Sequence, residues 1–388
     1  MTNRTSPLGV GIIGCGNISS AYLRLSPLFA AIEVRAIADM DLNVAKARAA
    51  EFGVRAETVT DLLSAEDIDI VVNLTIPAAH YDVSAAILTA GKHVYSEKPF
   101  VLSVSEGREL AALAEPRGLR VGSAPDTFLG GAHQLARHVI DSGQIGRVIS
   151  GTAFVMSHGM EHWHPNPSFF FQPGAGPVMD VGPYYVSNLI QLIGPVKRVA
   201  ALSATPQTRR EILSEPLKGQ MIEVNTPTTL MALLEFHSGA AITLAASWDV
   251  WAHEHSPMEL YGSEGSLFVP DPNFFGGEVR VSERGGAVKP LDPWAHPFGI
   301  ANETGGAEPR ANYRAAGLAD MADAILTGRA HRCSLEMSLH AVDVMAAILQ
   351  SGETGAFVDL STTCERPEAL SPEAARALMA VQMAETPA

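Results

Sequence analysis

A pair of glycines close to the N-terminus constrains the fold more than any other feature of this sequence. The apolar run from Val10 to Ile13 predicts a buried strand, and a helix can begin just beyond the two glycines that end it. Glycines at such a junction allow a tight turn and let backbone N–H groups approach a pyrophosphate, while the helix N-terminus adds partial positive charge. The junction therefore predicts a dinucleotide-binding turn formed by Gly14, Gly16, Asn17 and Ile18.

The next strand indicates which dinucleotide the turn would bind. This strand starts at Val34 and ends in Asp39, 23 residues after Gly16. An aspartate in that place accepts hydrogen bonds from the adenine ribose hydroxyls and repels a 2′-phosphate. The alternative is that Asp39 only caps the helix or turn over residues 41–52. The order strand, glycines, helix, strand and acid favours the nucleotide, and it predicts NAD in preference to NADP.

Charge and composition argue against several classes of partner. The chain has 388 residues and a formal net charge of −15, which argues against nucleic acid and against an anionic membrane surface. The three cysteines lie far apart without metal-ligand spacing and suit a reducing compartment. The first eight residues lack the basic and apolar segments of a signal peptide, and no apolar run approaches the ~20 residues of a membrane span. We therefore predict a cytoplasmic protein.

The first third of the chain alternates strands with helices. Helices are predicted over residues 42–52, 80–90 and 103–115, and strands over 67–74, 93–95 and 119–123. This alternation predicts an α/β fold with a Rossmann doubly wound parallel sheet whose ligands lie at the carboxyl ends of the strands. Length and pattern together predict two domains, an NAD-binding domain over 1–124 and a substrate-binding domain over 125–388.

Four segments then carry a specific resemblance. They are Gly11 to Ile18, Thr75-Ile76-Pro77 with His80, Ala90 to Val94, and Glu97-Lys98-Pro99. In this order and spacing they resemble the glucose–fructose oxidoreductase, inositol dehydrogenase and rhizopine-catabolism (Gfo/Idh/MocA) family. The resemblance implies that Lys98 meets both the nicotinamide ribose and the reacting hydroxyl, where an ammonium stabilises alkoxide charge and passes a proton. It also implies that the cofactor is contacted by Thr75, Pro77, His80 and Glu97. A surface lysine beside a turn is the alternative.

A second chemical centre lies near the middle of the chain. Gly176 and Pro177 introduce a predicted helix on which Asp180 and Tyr184, four residues apart, share one face. The segment resembles the family's Gly-Gly…Asp-x-Gly-x-His helix start, with Tyr184 in place of the most frequent histidine. That departure resembles the glucose–fructose oxidoreductase and dihydrodiol dehydrogenase branch, which implies an acid/base tyrosine and argues against transferring an inositol substrate. Asn188 lies one turn further along and is a substrate-binding candidate. A capping aspartate and a packing tyrosine are the alternatives.

A loop rich in histidine and aromatic residues precedes this centre. It contains His158, His162, Trp163 and His164. Flat rings stack on the C–H faces of carbohydrates, so the loop is interpreted as substrate-binding, with plain loop packing as the alternative. The histidines and Glu161 lack the spacing of a helical zinc site, and we predict no metal.

The second half of the chain changes to strands without intervening helices. Strands are predicted over 199–203, 229–236, 241–248, 258–261, 266–269 and 278–281, helices over 313–327, 335–350 and 372–382, and a mobile loop near the site over 291–309. This pattern predicts an α+β domain with an open, mostly antiparallel sheet. Trp248, Trp251 and His253 end one strand and line either the pocket or a subunit interface. The resemblance implies a homodimer or homotetramer paired through one sheet face, and long helices that return to the first domain.

These features predict an NAD-dependent oxidoreductase acting on a secondary alcohol of a sugar, cyclitol or glycoside. Lys98 and Tyr184 handle the proton, and Asp180 orients the substrate or tunes Lys98. One alternative is an enzyme that retains tightly bound NAD for sugar–sugar hydride exchange or for glycoside cleavage through a keto intermediate. The other is a catalytically silent NAD-sensing regulator, whose usual mark, loss of the lysine from Glu-Lys-Pro, is absent here.

Overall fold

A computed structural model describes residues 6–304 and 308–380 of the chain. Three segments considered above reach beyond these residues. The described residues do not include 1–5 of the N-terminal segment considered for a signal peptide, 305–307 of the predicted loop, or 381–382 of the last predicted helix. No helix of the described part of the chain is both long and apolar enough to span a membrane.

The first sheet has six parallel strands in the order β3-β2-β1-β4-β5-β6. Its strands are β1 Leu8–Ile13, β2 Ile32–Ala38, β3 Arg55–Glu57, β4 Ile70–Asn73, β5 His93–Ser96 and β6 Val121–Ser123. Its helices are α1 Asn17–Leu25, α2 Leu42–Phe52, α3 Val59–Ser64, α4 His80–Thr89 and α5 Val104–Ala114. The predicted doubly wound parallel sheet is confirmed. The pattern missed β3 and α3 because both are too short to show a period.

Local capping chemistry fixes two of these helix ends as the sequence predicts. The Ser103 side chain accepts a hydrogen bond from the Glu106 N–H at 3.3 Å, and the Glu106 carboxylate accepts one from the Ser103 N–H at 3.0 Å. This reciprocal capping box satisfies two N–H groups that the first helical turn leaves unpaired. Gly53 ends α2 with φ of +70°, a left-handed conformation that glycine adopts without steric cost.

The second sheet has nine strands in the order β16-β15-β14-β13-β7-β12-β11-β8-β17. Its pairs are antiparallel except for the parallel pair β7 and β12. Its strands are β7 Val148–Met156, β8 Val196–Ala204, β11 Thr229–Phe236, β12 Ala241–Ser247, β13 Met258–Gly262, β14 Gly265–Val269, β15 Arg280–Glu283, β16 Lys289–Pro290 and β17 Val358–Asp359. The mostly antiparallel sheet is confirmed. A small hairpin between β8 and β11, β9 Arg209–Glu211 with β10 Met221–Glu223, was not predicted.

Helices pack on the inner face of this sheet and against the first sheet. They are α6 Gly131–Asp141, α7 Gly176–Asp180, α8 Gly182–Ile193, α9 Ala316–Thr327, α10 Leu335–Thr354 and α11 Pro372–Leu378. The long helix α10 contacts β8 and α8 on one side and α5 and β6 on the other. Just before it, the carbonyl of Cys333 accepts from the Ser123 N–H at 3.2 Å, which ties the second half of the chain to the edge of the first sheet.

Two expectations about the second half are corrected by packing. The segment over 291–309 is not a loose loop where it passes His296 and Phe298, which are 1% and 0% exposed. Trp294 also donates to the Gly131 carbonyl at 3.0 Å. The helix predicted from Tyr313 begins instead at Ala316, because Ala315 adopts a left-handed conformation.

Candidate active site

The glycine turn after β1 lies at the carboxyl edge of the first sheet. A Cβ on Gly14 would lie 2.7 Å from the backbone carbonyl of Leu74, and φ there is +105°, so both close approach and conformation require glycine. At Gly16 a Cβ would meet no protein atom within 4 Å. Gly16 is also the N-cap of α1, and no side chain of the described residues caps this end. Open space and N–H groups without intrahelical partners fit a pyrophosphate.

Asp39 places its carboxylate against this turn. Its Oδ2 accepts from the Cys15 N–H at 2.8 Å, and its Oδ1 accepts from the Asp41 N–H at 3.1 Å. The N-cap of α2 is Asp41, not Asp39. A carboxylate has about four acceptor positions, so Asp39 retains capacity for ribose hydroxyls.

Three of the predicted catalytic side chains lie together. Lys98 Nζ lies 3.0 Å from Asp180 Oδ1, 2.8 Å from the Asp180 carbonyl oxygen and 5.4 Å from the centroid of the Tyr184 ring. Burial lowers the pKa of Lys98, but the charges of Tyr184 and Asp180 outweigh it, so the pKa lies above its ordinary value. The lysine therefore remains an ammonium throughout the physiological pH range, ready to stabilise negative charge on an adjacent oxygen.

The local backbone explains how these side chains converge. The Lys98–Pro99 peptide is cis. Asp180 and Tyr184 do not share one continuous helix as predicted, because the chain breaks at Val181 into α7 and α8. Asp180 ends the first helix and Tyr184 stands in the first turn of the second. In the described part of the chain no hydrogen bond occupies the Tyr184 hydroxyl, which leaves it available for proton exchange.

Glu97 lies behind Lys98 and is fully engaged by protein groups. Its Oε1 accepts from Tyr22 Oη at 3.0 Å and from Arg314 Nη1 at 2.8 Å, and its Oε2 accepts from the Lys98 N–H at 3.0 Å. Burial raises the pKa of Glu97, but Arg314 and Lys98 outweigh it and hold the pKa below its ordinary value. Direct cofactor contact by Glu97 stays a prediction, and the bond from the Lys98 N–H ties its carboxylate to the segment that carries Lys98. No motif in the sequence pointed to Arg314 or Tyr22.

Two further predicted site residues are buried away from open space. His80 is 1% exposed, with Nδ1 2.7 Å from the Pro99 carbonyl and Nε2 3.0 Å from the Thr75 carbonyl. It therefore joins two segments of the site and does not face a ligand. Asn188 is 0% exposed and its amide contacts His133 Nδ1 at 3.3 Å, so it does not face open space, and substrate contact by Asn188 stays a prediction.

Comparison with known proteins adds to this geometry. Residues 8–124 match the model of the oxidoreductase family with an NAD-binding Rossmann fold, and residues 133–268 match the Gfo/Idh/MocA C-terminal domain. The chain belongs to the Gfo/Idh/MocA family. The predicted family and cofactor class are thereby confirmed.

Named relatives of this family member include sugar-modifying enzymes. An uncharacterized oxidoreductase of Schizosaccharomyces pombe is 30% identical over 50% of this chain and 54% of its own length. The dTDP-3,4-didehydro-2,6-dideoxy-alpha-D-glucose 3-reductase of Streptomyces violaceoruber is 29% identical over 69% of this chain and 73% of its own. The chain spans only 54% and 63% of the length of the first two curated relatives. Levoglucosan dehydrogenase, solved with NADH and L-sorbose, shares the fold with a TM-score of 0.78 at 21% identity, covering 92% of this chain and 99% of its own.

The histidine-rich loop of this family member lies at the surface. Trp163 is 57% exposed, and His158 stacks on Trp251, which is 81% exposed. Trp248 is instead 1% exposed in a small second core, which excludes it from a pocket lining. Among the described residues this loop shares no hydrogen bond, ion pair or ring contact with the group around Lys98. No cluster of three or more metal-ligating side chains occurs within residues 6–304 and 308–380.

Proposed function

We propose that this protein is an NAD-dependent dehydrogenase that moves a hydride between nicotinamide and a CH–OH carbon of a sugar, cyclitol or glycoside. One observation carries the proposal: the Lys98 ammonium is held by Asp180 beside the Tyr184 ring, on the chain segment that leaves β5 at the ligand edge of the sheet. Family membership and the carbohydrate substrates in the names of relatives support it. The domain boundary between residues 124 and 125 is also part of the proposal.

The carboxyl edge of the first sheet supplies the nucleotide site in this proposal. The residues assigned to the pyrophosphate are Gly14, Gly16, Asn17 and Ile18, and Asp39 binds the adenine ribose. Thr75 and Pro77 border the nicotinamide end, next to Ile76, which is 69% exposed. An apolar side chain this exposed suits contact with a flat ring. Bound NAD supplies the hydride acceptor or donor.

Proton transfer belongs to this chain's own residues. In oxidation the alcohol O–H proton passes to the Tyr184 oxygen as hydride leaves the carbon, and Lys98 stabilises the oxygen charge that develops. Asp180 keeps Lys98 in place through its carboxylate and its backbone carbonyl. We assign substrate contact to the loop residues His158, His162, Trp163 and His164, whose accessible rings suit carbohydrate faces.

NADH formation tests the proposal. The wild-type protein is assayed with NAD and NADP across aldoses, cyclitols and glycosides, and nucleotide released on denaturation is measured in parallel. Turnover with NAD on a member of this panel supports the dehydrogenase. Retained NAD with no net NADH formation would instead favour the enzyme with permanently bound cofactor. Reversible NAD binding without any turnover would contradict an enzymatic role.

The Asp39→Asn variant is expected to shift cofactor preference. The asparagine oxygen still accepts from the Cys15 N–H, but the negative charge that repels a 2′-phosphate is lost. We expect the ratio of kcat/KM for NAD to that for NADP to fall by about tenfold or more, equivalent to about 1.4 kcal/mol. Asp41→Asn, two residues further along at the N-cap of α2, serves as the matched control. An unchanged ratio in Asp39→Asn would show that Asp39 does not select the nucleotide.

An exposed apolar face of the second sheet supports a homo-oligomer. Leu202 on β8 and Met231 on β11 are paired neighbours, and Leu233 continues the same face; their exposures are 72%, 44% and 55%. Apolar patches of this kind mark interaction surfaces. We therefore keep a homodimer or homotetramer as the proposed state.

Replacing Leu202 and Leu233 by aspartate is expected to dissociate the oligomer. Two charges on the apolar face remain solvated in a monomer but would be desolvated in a paired sheet. Light scattering after size exclusion should show the wild-type mass falling to that of one chain. Leu213→Asp, an exposed leucine outside both large sheets, should keep the wild-type mass. A double variant that also keeps that mass would remove this face from the assembly.

A further inference from the structure

Arg314 is a charged residue of the site that no sequence motif marked. It lies just before α9, and its Nη1 donates to Glu97 Oε1 at 2.8 Å across 217 positions of sequence. The two side chains are 15% and 9% exposed. Removing such a pair from water is costly, so its place directly behind Lys98 suggests a use beyond stability.

The backbone around Arg314 is held in an unfavourable conformation. Ala315 has φ of +83°, the one non-glycine residue in the left-handed region within residues 6–304 and 308–380. This conformation is unfavourable for an L-residue, because its Cβ crowds the backbone carbonyl. Neighbouring contacts enforce it: the Gly317 N–H donates to Asp126 Oδ2 at 3.1 Å, and Ala315 and Ala316 are fully buried. Strain of this kind concentrates where a side chain must be aimed, and here it aims Arg314 at the site.

Arg314 adds a second positive charge near Tyr184. The guanidinium is joined to this centre through Glu97. The other carboxylate oxygen of Glu97 accepts from the Lys98 N–H at 3.0 Å, and Lys98 Nζ lies 5.4 Å from the centroid of the Tyr184 ring. The charged and titratable groups around Tyr184 and its neighbours are Lys98 and Glu97 after β5, Asp180 at the end of α7, Tyr22 of α1, Asp126 after β6, and Arg314 before α9. Glu97 neutralises part of the guanidinium charge, yet low solvent exposure keeps the remaining interaction with Tyr184 poorly screened.

We propose that Arg314 is a positioning residue of the reaction centre. Its bond to Glu97 fixes the segment that carries Lys98, and its charge stabilises the Tyr184 oxyanion that accepts the substrate proton. The inference rests on the proposed dehydrogenase function for its kinetic consequence. No covalent step involves Arg314 itself.

Four variants separate charge from packing. Arg314→Lys keeps a positive charge opposite Glu97. The double variant Arg314→Met with Glu97→Gln removes both charges of the pair, so no unpaired buried carboxylate remains to unfold the protein. Glu97→Gln alone removes only the negative charge, so its comparison with the double variant isolates the guanidinium. Arg329→Met is the control, because it removes a guanidinium that pairs with Asp320 and Asp323 outside the site.

The kinetic result distinguishes a role for the charge from simple pairing with Glu97. Relative to Glu97→Gln alone, we expect the double variant to lose about 100-fold in kcat/KM and to move the acidic limb of its pH profile up by about one unit, with NADH affinity unchanged. Arg314→Lys should stay close to wild type in both respects, and Arg329→Met should match wild type. A double variant with the kcat/KM and pH profile of Glu97→Gln, or an Arg314→Lys variant no better than the double variant, would overturn the proposal.

A second readout needs no turnover. Phenolate absorbance is measured against pH for each protein and subtracted from that of the same protein carrying Tyr184→Phe. The proposal requires the difference signal to form at higher pH in the double variant than in Glu97→Gln or in Arg314→Lys. If the shift is seen but no protein shows turnover, the role of Arg314 stands and the proposed dehydrogenase function is wrong. If turnover is seen without the shift, only the proposed role of Arg314 is wrong.

Discussion

Replacing Lys98 by methionine is expected to lower kcat about 1000-fold, a much larger effect than the weakening of NADH binding that follows from loss of its implied contact with the nicotinamide ribose. Methionine keeps much of the side-chain length but removes the ammonium that Asp180 holds at 3.0 Å. The oxygen charge that develops during hydride transfer then loses its nearest cation, and the proton loses a charged partner. The fold should survive, because Asp180 is 22% exposed and water can solvate its carboxylate after the lysine is gone.

A second lysine–carboxylate pair provides the control for this substitution. Lys197 lies 3.1 Å from Glu235 on the surface of the second sheet, so Lys197→Met removes a comparable ion pair far from the nucleotide edge. Steady-state kinetics and NADH fluorescence on both variants separate catalysis from binding. Lys98→Met with kcat near that of Lys197→Met would exclude Lys98 from the chemistry, whatever its place in the motif.

Acidification is expected to unfold the protein between about pH 6 and pH 4. Burial lowers the pKa of His93, His133, His296 and His340 to about 4. In three of them a ring nitrogen accepts a backbone N–H, from Arg120 to His93, from Phe298 to His296 and from Val196 to His340, which requires a neutral ring. The unfolded chain therefore binds protons from about pH 6.5 downward that the folded chain refuses, and folding stability falls as pH falls.

One buried acid acts in the opposite direction. Burial raises the pKa of Asp126 to about 6, so between about pH 6 and pH 4 the folded state holds a proton that the unfolded state releases. Near pH 5 the four histidines bind about four more protons in the unfolded than in the folded state, and Asp126 binds about one fewer. The net difference of about three protons makes the free energy of unfolding fall by roughly 4 kcal/mol per unit decrease in pH. At that slope, a typical free energy of unfolding of 5–15 kcal/mol is lost within a few pH units.

Denaturant titrations at several pH values measure this slope. His340→Gln removes about one of the protons that the unfolded state takes up, so the slope of unfolding free energy against pH should decrease by ~1.4 kcal/mol per pH unit. Asp126→Asn should increase the slope by a similar amount. His253→Gln, at an exposed position, should leave it unchanged. A wild-type slope near zero between pH 6 and pH 4 would show that these histidines titrate as they do in the unfolded chain.

Hydrophobic pattern and glycine position made much of the fold predictable. The parallel strands β1 and β4 are buried along their whole length, and β11 alternates between buried and more exposed residues. Such periods are local properties. Short elements such as β3 and the β9–β10 hairpin escaped because three residues cannot display a period, and the break at Val181 escaped because helix propensity continues across it.

In the candidate site, too, local features could be predicted from the sequence and long-range contacts could not. The glycine turn, Asp39, Lys98, Asp180 and Tyr184 were predictable because each sits in a local motif whose chemistry is visible in sequence. The burial of His80, Asn188 and Glu97 was not, because burial depends on side chains that arrive from other elements. His80 illustrates this: its two partners, Thr75 and Pro99, are carbonyls on separate segments.

The sequence by itself determined the nucleotide-binding architecture, because a strand, two glycines, a helix and an acid at fixed spacing allow few other arrangements. It also predicts that a lysine and a tyrosine supply the proton chemistry. Only the tertiary structure decided that Arg314 stands behind Lys98, since 217 residues separate it from Glu97 and no local pattern records that contact. Long-range charge pairing depends on how α9 docks against β6, and that docking is set by packing across the whole chain.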